Sequence, residues 1–227
     1  LRRRCLEDFL VFQMGLYGPD PLIFSFKTKK ISDQLHKNWR ADTLPALEHA
    51  LSSGDSSIRS FAAGYMLHQM LDDVVHPKIY QWMEDGSSHF RLEVALDILI
   101  LREKRCLNPP KLMTDGKLRT ARAGSLLLRP ANQRQYLSGL WRMALLTEYF
   151  RHGGMRDDRK VNVQEMAQAR ELRARLEDST RSAAEELTRR MDLALASQGG
   201  VPPRPKKWDL SQNQEGPRLF LPKKKLL

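Results

Sequence analysis

The sequence predicts an all-α fold, a multi-helix bundle followed by a flexible basic C-terminal tail. Strand signals are almost absent, whereas apolar residues recur at helical spacing. Breaker residues separate the periodic stretches, at Gly15 to Pro21, at Pro77 and at Asn108 to Pro110. The predicted helices cover residues 43–52, 57–75, 88–105, 132–152 and 163–197.

Each predicted helix has its own signal. Residues 57–75 are apolar nearly all round, which is typical of a buried helix. Pro77 is expected to end that helix, with His76 at its last position. Ser87 or Ser88 is a plausible N-cap for the 88–105 helix. Residues 114–131 give a mixed pattern, 132–152 a second apolar helix and 163–197 a long charged one.

The chain divides into three regions. Residues 1–107 form a histidine-rich helical core, and 108–198 are expected to add helices to the same domain. Residues 199–227 form a basic tail rich in Pro and Lys, largely disordered by composition. No run of 18 apolar residues exists, so no membrane-spanning helix is expected. Two cysteines exclude a disulfide framework.

The net charge of +11 is unevenly placed. Residues 1–107 carry 14 basic and 14 acidic side chains, so the whole excess lies beyond residue 107. A basic surface attracts phosphate-bearing partners such as an anionic membrane surface or nucleic acid. The alternative is a solvated helix face, which fits Arg170, Arg173 and Arg175 because they alternate with glutamates.

Histidines and carboxylates recur four residues apart in the first region. His68 precedes Asp72, which precedes His76, and His89 precedes Glu93. This spacing stacks side chains on one face of a helix. One such pair commonly marks a salt-bridged helix face. Two pairs together with His76 and His36 favour a metal site, because imidazole and carboxylate are the usual ligands of zinc.

The candidate ligands are too many for one tetrahedral zinc and suit two or more metals, as in phosphoester hydrolysis. Asp72 is placed to bridge metals, between two histidines of one stripe. Asp20 is placed to act as the catalytic base, because it projects from a Gly-Pro-Asp-Pro turn. His49 is interpreted as structural, and His152 as a helix C-terminal residue. The candidate metal ligands are Asp20, His36, His68, Asp72, His76, His89 and Glu93.

These motifs, in this order, resemble the bacterial zinc-dependent phospholipase C family, which shares its all-α fold with P1-type nucleases. The resemblance covers residues 9–101 and rests on Gly15–Pro21, His36, Gly64–Asp72, His76-Pro77, and His89 with Glu93. It implies that Asp20 is a ligand or base, that His36 and His68 bind the first zinc, and that Asp72 bridges. The second, separate zinc would take the remaining three ligands.

The resemblance implies a phospholipid or other phosphodiester substrate and two zinc ions. The family has a further N-terminal histidine that completes a third zinc, and nothing upstream of Phe9 can serve, so three ions require a ligand from outside this sequence. The alternatives are a single-strand nuclease of the same fold and a non-catalytic, metal-stabilised binding module. The compartment of such a bacterial protein, cytoplasmic or secreted, is left open.

Overall fold

The computed structural model is all-helical throughout the residues it describes, which confirms the predicted fold class. These residues are 8–24, 27–37, 39–104, 114–128, 131–149 and 161–196. The predicted tail and His152 lie outside them. No helix of the described residues is both long and apolar enough to cross a bilayer. The helices are α1 (Phe9–Gly15), α2 (Lys29–Lys37), α3 (Leu44–Leu51), α4 (Ser56–Glu84), α5 (His89–Lys104), α6 (Thr114–Leu127), α7 (Gln133–Tyr149) and α8 (Val163–Ala196), with a 3-10 helix at Asp20–Phe24 and a π-helical turn at Trp39–Thr43.

The first half of α4 is the centre of the main core. Phe61, Tyr65 and Met66 are fully buried there and pack with apolar residues of α1, α3, α6, α7 and the end of α8. Asp8 ties α1 to this core, because its carboxylate caps α1 at Val11 N and accepts a hydrogen bond from the Ser57 hydroxyl.

The prediction that Pro77 ends this helix is wrong, because α4 continues to Glu84. An interior proline costs about 3 kcal/mol. Beyond it, Ile79 and Trp82 are buried with Leu92 of α5 and Leu172 of α8. Burial of each large apolar side chain contributes roughly 1.5–3 kcal/mol, which offsets the cost of the proline. His76 therefore lies inside the helix, so its side chain keeps the register of His68 and Asp72.

The expectation of a helix buried nearly all round holds only for the first half of α4. Residues 71–78 are half-buried or exposed, although Leu71 and Val75 still pack against apolar residues. Helices α4 and α5 are adjacent, as predicted, and α8 packs along both. The half-exposed stretch of α4 thus lies between the main core and the smaller core of α5 and α8.

Candidate metal centre

The turn after α1 brings Asp20 to α4. Gly18 lies in this turn with a φ of +46°, a conformation that favours glycine. A Cβ at this position would approach Cδ2 of His68 to 2.5 Å. The absence of a side chain therefore allows the turn to close directly onto the His68 ring, and the 3-10 helix starts two residues later at Asp20.

Ser32 of α2 holds both this turn and His36. Its hydroxyl donates to the Pro19 carbonyl at 3.1 Å, and its own carbonyl lies 2.8 Å from Nδ1 of His36. Because a carbonyl can only accept, Nδ1 carries the proton. In the neutral ring, Nε2 then presents a lone pair to the site, which is how protein metal centres orient histidine ligands.

The first cluster consists of Asp20, His36, His68 and Asp72. The two Nε2 atoms lie 3.4 Å apart. Oδ1 of Asp20 is 3.1 Å from Nε2 of His36 and 3.8 Å from that of His68. Oδ2 of Asp72 completes the arrangement, at 3.6 Å and 3.2 Å from the same two atoms. Four side chains from three segments thus direct their donor atoms into one small volume.

The second cluster consists of His76, His89 and Glu93. Oε1 of Glu93 is 2.9 Å from Nε2 of His89 and 4.0 Å from Nε2 of His76. The His76 and His89 ring centroids are 5.1 Å apart, and Tyr80 packs against both rings at 5.6 and 5.8 Å. A 6.5 Å contact between the rings of His36 and His76 joins the two clusters.

The clusters differ in their electrostatics. Burial opposes the charged form of His68, but the carboxylates of Asp20 and Asp72 outweigh it and raise its pKa to about 9. Burial likewise opposes charge on Asp72, yet the hydrogen bond to His68 leaves its pKa lowered. In the second cluster, burial lowers the pKa of His76, whereas the hydrogen bond to Glu93 raises that of His89.

The donor set fits zinc. In each cluster, three donor atoms lie within 4.8 Å of one another: those of Asp20, His36 and His68 in the first, and of His76, His89 and Glu93 in the second. They are imidazole nitrogens and carboxylate oxygens, the ligands that zinc prefers. The first cluster is also partly enclosed, since the side chain of His68 is 10% exposed and that of Asp20 is 37% exposed. Asp20 is thus the member most open to solvent.

All seven sequence-predicted residues are brought together by the fold, and their role as ligands stays a prediction. His49 lies on α3 and belongs to neither cluster. Sequence reasoning missed two supporting residues, Ser32 and Tyr80. Each has the same signal, since Ser32 lies four residues before His36 and Tyr80 four residues after His76, which places each pair on one helix face.

An all-α bundle with two adjoining histidine–carboxylate clusters is typical of a helical metallohydrolase. Comparison of the sequence with models of protein families identifies the family to which the chain belongs. The model of the family described as zinc dependent phospholipase C matches residues 2–137, more than half of the chain, so this protein belongs to that family. No curated protein and no solved structure matches the chain. The family is zinc-dependent and hydrolytic, and all seven candidate residues lie within the matched region.

Proposed function

We propose that the two clusters bind zinc and that the protein is a phospholipase C, which cleaves phospholipids to diacylglycerol and a phosphorylated head group. The observation that carries this proposal is the convergence of Asp20, His36, His68 and Asp72, all with donor atoms within 3.8 Å of the paired histidine nitrogens. Family membership supports the reaction class, and the geometry of the two clusters supports the choice of these residues.

The position of each residue suggests its role in zinc binding. His36 and His68 would hold one zinc, and His76, His89 and Glu93 another. Asp72 lies one helical turn from both His68 and His76, so it is the member that can bridge the two clusters. Zinc, when bound, supplies a Lewis acid for the phosphoryl oxygens and makes water acidic near neutral pH.

Asp20 is the residue proposed to take the proton of the attacking water. Its Oδ1 faces the histidine pair, while its side chain is the most exposed of the first cluster. A carboxylate in this position can accept a proton on the inner side and release it to solvent afterwards. The 3-10 helix fixes its direction, because Thr28 donates to the Leu22 carbonyl and Ser32 to the Pro19 carbonyl.

Family membership favours a phospholipid substrate over single-stranded nucleic acid, and the distribution of exposed aromatic side chains agrees with it. Nucleases of this kind need exposed aromatic side chains on which bases stack. Trp39 and Trp82 are buried, at 5% and 7% exposure, whereas Trp141 is 62% exposed. Phe9 and Tyr80 are exposed as well, and in the described residues these three aromatic side chains lie on separate helices, α1, α4 and α7, so no single helix offers a row of stacking rings.

Release of diacylglycerol from mixed phosphatidylcholine and phosphatidylglycerol vesicles, at saturating zinc, tests the proposal. Wild type should release it, and Asp20→Asn should lose at least about 100-fold in rate, within the range reported for general-base groups. His49→Ala is the matched control and should retain activity. Rapid digestion of single-stranded DNA without lipid turnover would favour the nuclease. Zinc binding without either activity would leave a non-catalytic binding module.

A further inference from the structure

Helix α7 runs alongside the segment that carries Asp20. The Tyr136 hydroxyl approaches the Gly18 carbonyl at 3.4 Å, and Arg142 donates to the Phe24 carbonyl at 2.6 Å. Between these two contacts, Gly139 lies so close to Pro21 that a Cβ would come within 2.0 Å of its carbonyl oxygen. The helix and the 3-10 segment are therefore parallel and in direct contact over their shared length.

The outer face of this pair exposes large apolar side chains. Trp141 and Leu145 are 62% and 51% exposed and lie four residues apart, so they are neighbours on one face of α7. Ile23 is 43% exposed on the 3-10 helix that α7 packs against. Three residues along that helix from Asp20, it lies about 6 Å from the Asp20 backbone.

Exposed cations accompany these apolar side chains. Arg134 lies two turns before Trp141 on the same face of α7, and Arg142 follows it directly. Lys27 and Lys30 are exposed just beyond the end of the 3-10 helix. Within the described part of the chain, no acidic side chain pairs with any of these four cations.

We infer that Trp141, Leu145 and Ile23, with the flanking cations Arg134, Arg142, Lys27 and Lys30, form a docking surface for an anionic phospholipid bilayer. Tryptophan is the side chain that most favours the boundary between lipid and water, because its ring is apolar and its N–H is polar. Leucine and isoleucine add apolar area that enters the acyl region, and cations without an acidic partner attract anionic head groups.

This surface lies beside the candidate metal centre and would present it to the bilayer. This part of the inference rests on the proposed function. Docking would place the 3-10 helix against the bilayer, with its first residue Asp20 next to the lipid head groups. The candidate metal centre would then open toward its substrate. Arg134 and Arg142 belong to the basic part of the chain beyond residue 107.

Flotation with vesicles tests the surface independently of catalysis. The full chain with zinc should float with vesicles of phosphatidylcholine and phosphatidylglycerol (7:3). Trp141→Ala should lower the partition coefficient about tenfold, as expected for removal of one large apolar side chain from the membrane. Leu193→Ala on α8, which is 57% exposed, is the matched control and should float as wild type does.

Charge reversal tests the contribution of the flanking cations to membrane binding. Arg134→Glu should weaken partitioning at least about fivefold per charge, and the loss should shrink in high salt. Arg181→Glu, on the exposed face of α8, is its control. Leu145→Ser provides a second apolar variant if Trp141→Ala does not fold, as judged by circular dichroism.

The outcomes separate this inference from the proposed function. The ratio of turnover on vesicles to turnover on a short-chain, monomeric phosphatidylcholine should fall about tenfold in Trp141→Ala. Wild type that hydrolyses the monomeric lipid but does not float overturns the docking surface alone. Wild type that floats without hydrolysing either lipid keeps the surface and overturns the function. Unchanged flotation of Trp141→Ala, or a dimer in sedimentation that this variant dissociates, contradicts a lipid partner for this face.

Discussion

Nε2 of His36 and Nε2 of His68 lie 3.4 Å apart, although the two residues come from different helices. Two neutral imidazole nitrogens that both present lone pairs repel at this distance, so a proton or a cation must lie near them. Asp20 and Asp72 flank the pair and add negative charge. In the absence of metal, a proton between the two Nε2 atoms removes this repulsion, and zinc would take the place of the proton.

Zinc binding at neutral pH should therefore release protons. The pKa of His68 is raised to about 9, so its ring carries the extra proton in the apo protein near pH 7, and the pKa of His36 is raised as well. A metal ligand must be neutral. Calorimetry in two buffers of different ionisation enthalpy should give about one proton or more per zinc at the first cluster. Asp20→Asn should release fewer, and binding without proton release would contradict this protonation state.

The apo protein should lose stability as pH rises. A folded-state pKa of His68 at about 9 lies above its unfolded value of 6.5, so its contribution is fully present below pH 6.5. That contribution is lost as pH rises from there through about 9. Chelated protein should thus melt at lower temperature at pH 9 than at pH 6.5, and His68→Ala should flatten this difference. An apo protein equally stable at both pH values would argue against the raised pKa.

Three glycine substitutions separate backbone strain from the contact with His68. Gly18→Ala should cost about 1–3 kcal/mol of stability and should also weaken zinc binding, because its Cβ meets the His68 ring. Gly86 has a φ of +90° with nothing within 4 Å of its Cβ, so Gly86→Ala should show only the strain, about 1–2 kcal/mol. Gly54→Ala has open space and should be nearly neutral. Equal zinc affinity in Gly18→Ala and Gly86→Ala would refute the role of the turn.

Removal of the Ser32 hydroxyl should loosen the Asp20 turn. Ser32→Ala removes the hydroxyl that ties α2 to the Pro19 carbonyl, which then accepts only from the Leu22 backbone N–H, and it keeps the backbone contact to His36. A lost supporting contact of this kind typically lowers metal affinity about 10–100-fold. Competition with a zinc-binding dye measures the change. Ser138→Ala, exposed on α7, should bind zinc as wild type does.

Pro77→Ala should stabilise the protein by about 1–2 kcal/mol. It removes the cost of an interior proline, about 3 kcal/mol, and gives back part of that gain through a more flexible unfolded chain. Thermal unfolding measures the effect. Pro45→Ala is the control, because Pro45 lies in the first turn of α3, where proline is tolerated. A lower melting temperature for Pro77→Ala would show that the proline has a favourable role in α4.

The sequence predicted which candidate ligands share a helix face, but it did not predict the tertiary contacts that hold those helices in place. Side chains four residues apart on α4 and α5 share a face by helix geometry alone, so His68 with Asp72 and His89 with Glu93 were readable in advance. The end of α4 could not be predicted, because the helix continues past Pro77 only where α5 and α8 bury Ile79 and Trp82. Such contacts join residues far apart in the chain, and no local pattern shows them.

Two further tertiary contacts around the site could not be predicted from the sequence. Asp73 adjoins the bridging candidate and accepts hydrogen bonds from the Trp39 indole at 2.9 Å and from Arg40. The segment 18–24 lies along α7, which comes more than a hundred residues later in the sequence. Neither relationship has a local sequence signal, since each depends on how separate helices pack.

Anomalous diffraction at the zinc edge, from crystals grown with zinc, tests the central claim most directly. We expect one peak among Asp20, His36, His68 and Asp72 and another among His76, His89 and Glu93, with Zn–N distances of about 2.0–2.1 Å. Anomalous peaks confined to other parts of the molecule, with these seven side chains in contact only with one another, would contradict the account.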